Sequence, residues 1–205
     1  MTEELAVVDY GAGNLKSVQN ALAHLSARFV VTSDPDTLRH SQAMIFPGVG
    51  EAFSAMAEIK RTGLDQAIRE FYTSGRKMLG ICIGCQIIMD RSEERDTTCL
   101  GLIPGSVRRF SAGNGHKVPH MGWNQVRFVR PHPMLRGITE GSSFYFVHAY
   151  YPAPEREDDV EGWTEYGIVF PSMIARGNLV ATQFHLEKSG EAGLRLLSGF
   201  LEWKA

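Results

Sequence analysis

The chain reads as an α/β protein with a mostly parallel central sheet flanked by helices, and with additional antiparallel strands in its C-terminal half. Two observations predict this. Through residue 90, short apolar runs alternate with stretches whose apolar residues recur at helical spacing. Beyond residue 100 the helical pattern gives way to short strand-like segments separated by tight turns, until one amphipathic stretch closes the chain. Alternation of the first kind builds βαβ units, whose strands are buried on both faces and therefore apolar throughout.

The elements follow in order. Leu5–Asp9 is an apolar run that stops at Gly11-Ala-Gly13, and Asn14 suits an N-cap. Leu15, Val18, Leu22 and Leu25 then share one helical face. Phe29–Thr32 and Ala43–Phe46 are the second and third strands, the latter ended by Pro47-Gly48. Residues 51–61 and 64–74 form two helices parted by Gly63. Met78–Cys82 is the fourth strand, followed by helical pattern over 86–90. Strands are predicted near 106–110, 124–129, 143–148, 165–170, 172–176 and 179–185, and a helix over 190–203. Residues 152–159, Pro-Ala-Pro-Glu-Arg-Glu-Asp-Asp, read as an exposed acidic loop. Neither a linker nor a repeat interrupts the 205 residues, so a single domain over 1–205 is expected.

Composition narrows the function. A formal charge of −2 gives no basis for a broad grip on nucleic acid or anionic membrane. No stretch approaches the ~20 apolar residues of a membrane span. An acidic amino terminus that runs straight into a strand does not resemble a signal peptide. The three cysteines cannot all pair with one another, which favours a reducing, cytoplasmic setting.

Chemistry concentrates in Gly80-Ile-Cys82-Ile-Gly84, a cysteine between glycines where a strand passes into a helix. Hydrolases present a nucleophile on the same strained turn. Free amides at a helix start favour a thiolate, and the Ile83 N–H is placed to face an oxyanion. A thiol needs a base. Among seven histidines, His185 ends an apolar segment two residues before Glu187. In extended chain these two side chains point the same way, so Glu187 would fix the ring and leave its other nitrogen for Cys82. Pro47-Gly-Val-Gly50 ends the neighbouring strand, and Val49 or Gly50 would offer a second N–H in the crevice at the strand ends. The glycines on either side of Val49 make a peptide flip cheap, so that this donor is switchable.

Gly80-Ile-Cys-Ile-Gly-Cys-Gln86 and Gln183-Phe-His-Leu-Glu-Lys-Ser189 resemble the two signatures of the class I, triad-type glutamine amidotransferases. Pro47–Gly50, Pro119-His-Met-Gly-Trp-Asn124, Asp9–Leu15 and Tyr145–Tyr150 resemble, within that family, the glutaminase subunit of imidazole glycerol phosphate synthase. The resemblance implies the flavodoxin-like three-layer fold of that class. It also implies hydrolysis of glutamine through a thioester on Cys82, with ammonia passed to a barrel-fold cyclase subunit in a histidine-pathway heterodimer. No cofactor is implied. Gly48, Gln86, Glu94, Ala149 and Tyr150 match positions that bind glutamine; Asn14, Trp123 and Lys188 match the partner-facing surface. Three positions depart from the family pattern: Leu186 replaces a proline, Cys85 a methionine, and Ala149 a hydroxyl residue.

Rival readings are weaker. Cys82-x-x-Cys85 has the spacing of a redox pair, but 30 residues separate Cys85 from His116, far from zinc-finger spacing. Gly11-Ala-Gly13 lacks the third glycine of a dinucleotide fingerprint, since residue 16 is lysine. A scaffold with a relic triad is disfavoured by the intact Cys82, His185 and Glu187. The remaining enzymatic alternative is a triad glutaminase that feeds another synthase, such as a sugar-modifying one.

Overall fold

The computed structural model describes residues 5–11, 15–111 and 116–204, so Asn14 lies outside the described residues. The strands are β1 Leu5–Val8, β2 Phe29–Thr32, β3 Ala43–Gly48, β4 Met78–Cys82, β5 Arg91–Ser92, β6 Thr97–Thr98, β7 Gly105–Arg109, β8 His120–Gln125, β9 Arg127–Phe128, β10 Ser143–His148, β11 Tyr150–Pro154, β12 Val160–Tyr166, β13 Ile168–Arg176 and β14 Leu179–Thr182. The helices are α1 Leu15–His24, α2 Pro35–His40, α3 Ala52–Thr62, α4 Leu64–Thr73, α5 Ile83–Ile87 and α6 Gly190–Glu202. Eight strands form the main sheet in the order β2-β1-β3-β4-β14-β13-β12-β9. The first five run parallel, and β13, β12 and β9 continue the sheet antiparallel. The expected mixed architecture is therefore present.

Strand period two divides the core. Ala6 and Val8 of β1 pack on one side with Leu38, Met56, Ile59, Ile68 and Phe71 from α2, α3 and α4. Leu5 and Val7 pack on the other with Val18 and Leu22 of α1 and Leu197 and Phe200 of α6. A continuous apolar run on β1 follows from this two-sided burial. A four-stranded sheet, β11-β7-β5-β6, antiparallel except between β7 and β5, and the antiparallel pair β10–β8 complete the additions.

Several boundaries depart from the sequence expectation. Helix α2 was not anticipated; it is six residues long, starts with Pro35 and is capped by Asp34, which accepts from the Asp36 and Thr37 amides at 3.3 and 3.0 Å. Helix α5 starts at Ile83, directly after Cys82 rather than at residue 86. The strand expected over 179–185 ends at Thr182, and that over 124–129 divides into β8 and β9. The break expected at residue 171 is absent, since 168–176 is one strand, β13; the turn instead divides the strand expected at 165–170, at Gly167, whose φ is +70°, with residues 165 and 166 ending β12. Pro171 is tolerated inside β13 because β14 pairs only from Met173 onward and β12 bulges opposite, between Gly162 and Trp163. The acidic stretch is exposed as expected over 155–158 but not at its ends. Tyr150–Pro154 is strand β11, and Asp159 is only 4% exposed, 3.9 Å from Arg176.

Candidate active site

Strand β4 ends at Cys82 with φ +56° and ψ −105°, a backbone conformation few non-glycine residues adopt. The flanking glycines make this turn possible. A Cβ on Gly84 would overlap the Phe46 carbonyl oxygen, and one on Gly80 would lie 2.9 Å from the Gly84 oxygen and 3.0 Å from the Ala181 Cβ. Cys82 is thus held where β3, β4 and β14 crowd together. Ile83 opens α5, so its N–H has no acceptor within the helix.

His185 follows β14 and is 1% exposed. Its backbone N–H donates to the Tyr145 carbonyl at 2.9 Å, and the Ser189 hydroxyl donates to the His185 carbonyl. The Tyr145 N–H in turn donates to the Ser189 hydroxyl at 3.0 Å, so the turn is tied to β10. His185 Nδ1 lies 2.7 Å from Glu187 Oε1. Nε2 is buried and has no partner of hydrogen-bond geometry, while Cys82 is close enough to act on the ring. Burial alone would strip the ring of its proton. The Cys82 sulfur and the Glu187 carboxylate outweigh it and push the His185 pKa up to about 10.

A pocket of about 290 Å³ opens over this pair. Of the residues singled out in the sequence, Val49, Gly50, Cys82, Ile83, Gln86, Glu94, Ala149, Tyr150 and His185 all line it. Parallel register explains part of this convergence, because Gly48 of β3 pairs beside Cys82 of β4. Gly48 itself lies beneath the wall rather than on it; a Cβ there would overlap the Tyr10 hydroxyl. Gly50 has φ +99° and open space where a Cβ would stand. Glu94 accepts the Ala52 N–H at 2.6 Å, and burial raises its pKa against that bond. Trp123 and Lys188 are not in the pocket. They gather on the outer surface around Tyr145, with ring centroids of Trp123 and Tyr145 6.2 Å apart and Lys188 Nζ 6.0 Å from the Tyr145 ring. Trp123 is 59% exposed and Met121 of the same strand 63%.

Four further groups went unrecognised in the sequence. Gln183 is fully buried and its amide Nε2 lies 3.9 Å from Cys82 Sγ. His148, which lines the pocket, bonds through Nδ1 to the Tyr150 carbonyl at 2.7 Å and through Nε2 to His120 Nδ1 at 3.0 Å. Tyr10 presents a buried, unpartnered hydroxyl; burial first, then Cys82, raises its pKa strongly. Ser189 ties down His185 as described. Signals existed for two of them. Gln183 stands two residues before His185, on the same side of an extended chain as Glu187 is after it, and His148 occupies the inward phase of β10 with Phe144 and Phe146. Among the described residues, no group of three or more His, Cys, Asp or Glu is arranged to hold a metal ion, and no helix is long and apolar enough to cross a membrane.

A strained cysteine at a strand-to-helix turn, with a buried histidine–carboxylate pair beside it, resembles the arrangement that triad hydrolases use. The profile of the glutamine amidotransferase class-I family matches residues 6–202, and the chain belongs to that family. Within it, the chain falls with proteins named imidazole glycerol phosphate synthase subunit HisH. It is 47% identical to the one from Thiobacillus denitrificans, over 99% of this chain and 92% of that protein. It is 50% identical to the one from Moorella thermoacetica, over 97% and 94% respectively. Among solved structures, that of PurLQS from Thermotoga maritima superposes with a TM-score of 0.77 at 18% identity, covering 98% of each chain, which shows a shared fold.

Proposed function

We propose that this chain hydrolyses glutamine to glutamate and ammonia through Cys82, His185 and Glu187. Its ammonia then goes to a barrel-fold cyclase subunit of imidazole glycerol phosphate synthase in cytoplasmic histidine biosynthesis. The observation that carries this reading is the buried His185–Glu187 pair, whose free Nε2 shares a pocket with a cysteine at positive φ. The three cysteines, all free and buried, suit a reducing compartment.

The reaction runs in two halves. The Cys82 thiolate attacks the side-chain carbonyl carbon of glutamine, and the charge moves to the oxygen. Ile83, with Val49 or Gly50, supplies N–H donors to that oxyanion. His185, already protonated, gives its proton to the amide nitrogen; the C–N bond breaks and ammonia leaves. Glu187 holds the ring throughout. Water then attacks the thioester, His185 takes its proton, and the C–S bond breaks to release glutamate. Gln86, Glu94 and the Ala149–Tyr150 segment, with Gly48 beneath, hold the amino-acid part of the substrate. Trp123 and Lys188 face the partner, and Asn14 matches a position of that surface in the family.

The position of Val49 between two glycines supports control by that partner. Removing one oxyanion donor costs about 3–4 kcal/mol of barrier, so a single peptide flip suffices to idle the site. Glutamine turnover by the chain alone and in complex with the cyclase tests this; equal rates would refute partner control. Cys82→Ala in the complex should abolish glutamine-dependent synthesis and leave synthesis from added ammonia intact. Loss of both would instead give Cys82 a structural role.

A further inference from the structure

Gln183 stands closest to an unassigned role. It is fully buried, and its side chain sits between Gln86 and the nucleophile. Side-chain amides carry a donor end and an acceptor end, and here the chain of partners decides which end faces the sulfur. The fixed point is the Tyr150 carbonyl, which can only accept. Gln86 therefore turns its NH2 toward it, at 3.0 Å. The second proton of the same NH2 reaches Gln183 Oε1 at 3.1 Å. With its oxygen so occupied, Gln183 directs its own NH2 at Cys82 Sγ, 3.9 Å away. Reversing Gln86 would set its oxygen against the Tyr150 carbonyl, and reversing Gln183 would set its NH2 against that of Gln86, each at the cost of an unmet polar group in a buried space. His148 Nδ1 also donates to the Tyr150 carbonyl, so both lone pairs of the fixed point are used.

We propose that Gln183 is the donor that solvates the Cys82 sulfur whenever it carries negative charge, with Gln86 and the Tyr150 carbonyl positioning its amide. This rests on the reading of Cys82 as nucleophile and adds a member to its surroundings. The titratable groups facing the sulfur are His185, backed by Glu187, from the turn after β14, Tyr10 from the segment after β1, and Cys85 from α5. His185 must surrender its proton during each turnover, when ammonia leaves. Gln183 does not titrate. It remains a donor when the thioester breaks and charge returns to sulfur, whichever state the imidazole is in.

The test is alkylation of Cys82 by iodoacetamide in the full-length chain, followed residue by residue by mass spectrometry. Two variants serve. Gln183→Met keeps length but removes the donor, and Gln183→Glu keeps shape and the bond from Gln86 but turns an oxygen toward the sulfur. At pH 7 the alkylation rate should fall about tenfold in Gln183→Met, the loss of one hydrogen bond to a charged acceptor, and further in Gln183→Glu. The shortfall should narrow as pH rises. In glutamine hydrolysis the loss should appear in kcat, with KM within about twofold. Folded variants that alkylate at the wild-type rate, or a loss carried by KM alone, would overturn the assignment. A wild-type Cys82 that reacts no faster than Cys85 and Cys99 would instead sink the nucleophile reading beneath it.

Discussion

His185 and His148 both line the pocket, both are buried, and they end in opposite charge states. His185 has a carboxylate 2.7 Å from Nδ1 and a sulfur near Nε2, and holds its proton to about pH 10. His148 meets a backbone carbonyl on one side and another histidine on the other. Burial dominates there and pushes its pKa down to about 3, and that of His120 to about 4. The hydrogen bonds agree. Tyr150 O only accepts, so His148 carries its proton on Nδ1, accepts on Nε2 from His120 Nδ1, and leaves His120 Nε2 to accept from Asn124 Nδ2 at 3.3 Å. Protonating the pair would set donor against donor. Equal burial thus yields a proton carrier where a carboxylate is supplied and an inert strut where none is.

Removing that carboxylate should make His185 behave like His148. Glu187→Gln keeps the shape and loses the charge. Glutamine hydrolysis should then fall by about 10⁴-fold, the order seen when a triad carboxylate is replaced by its amide. Steady-state rates on the complex measure it, and a loss under tenfold would mean that burial and Cys82 alone fix the ring.

The strut should register in stability more than in chemistry. His148→Phe leaves His120 Nδ1 and one lone pair of Tyr150 O without partners, and each such buried loss costs about 1–3 kcal/mol. Urea unfolding should show a drop of about 2–6 kcal/mol for the two together. Because Tyr150 O also orients Gln86, kcat should fall about tenfold; an unchanged unfolding midpoint would contradict the proposed role.

The two histidine environments also predict opposite pH limbs. His120 and His148 have lowered folded pKa values, so below about pH 6.5 the unfolded chain binds more protons and stability falls as pH drops toward 4. His185 has a raised folded pKa, so its contribution is complete below about pH 6.5 and is lost as pH rises through about 10. Each proton contributes a slope of about 1.4 kcal/mol per pH unit within its window. Unfolding free energies across pH 4–10 should show both limbs. His148→Phe should flatten the acid one and Glu187→Gln the alkaline one.

What the sequence disclosed follows the reach of each signal. The parallel half was legible because strands buried on both faces are apolar throughout and their helices carry one apolar stripe. Helix α2 escaped because only Leu38 of its six residues is buried, leaving Asp34-Pro35 as its sole mark. In the antiparallel half Pro171 looked like a break and Gly167 did not, because the bulge that accommodates the proline is a property of the partner strand. Cys82, His185 and Glu187 were legible through local spacing. Gln183 obeyed the same two-residue rule, applied in the other direction. His120 and His148, on β8 and β10, become neighbours only through strand pairing, and Tyr10 reaches Cys82 only across the sheet.

The smallest effect is expected at Leu186, where the family pattern has proline. His185 already sits at φ −89° and ψ 106°, within the extended region that a following proline would impose. Leu186 opens the short turn to Lys188, a position where proline is tolerated. The turn is held without a ring. The Ser189 amide donates to the Leu186 carbonyl at 3.1 Å, the Lys188 amide to that of His185 at 3.2 Å, and Tyr145 pairs with His185. The leucine side chain is also packed, 1% exposed, in the cluster with Phe144, Phe184 and Leu197. Leu186→Pro should therefore leave hydrolysis within about twofold and cost about 1 kcal/mol of stability, for the apolar surface lost. A tenfold gain in kcat would mean that packing and hydrogen bonds hold the His185 backbone less firmly than a proline ring does, and that the base, unlike its neutral neighbours, pays for looseness in turnover.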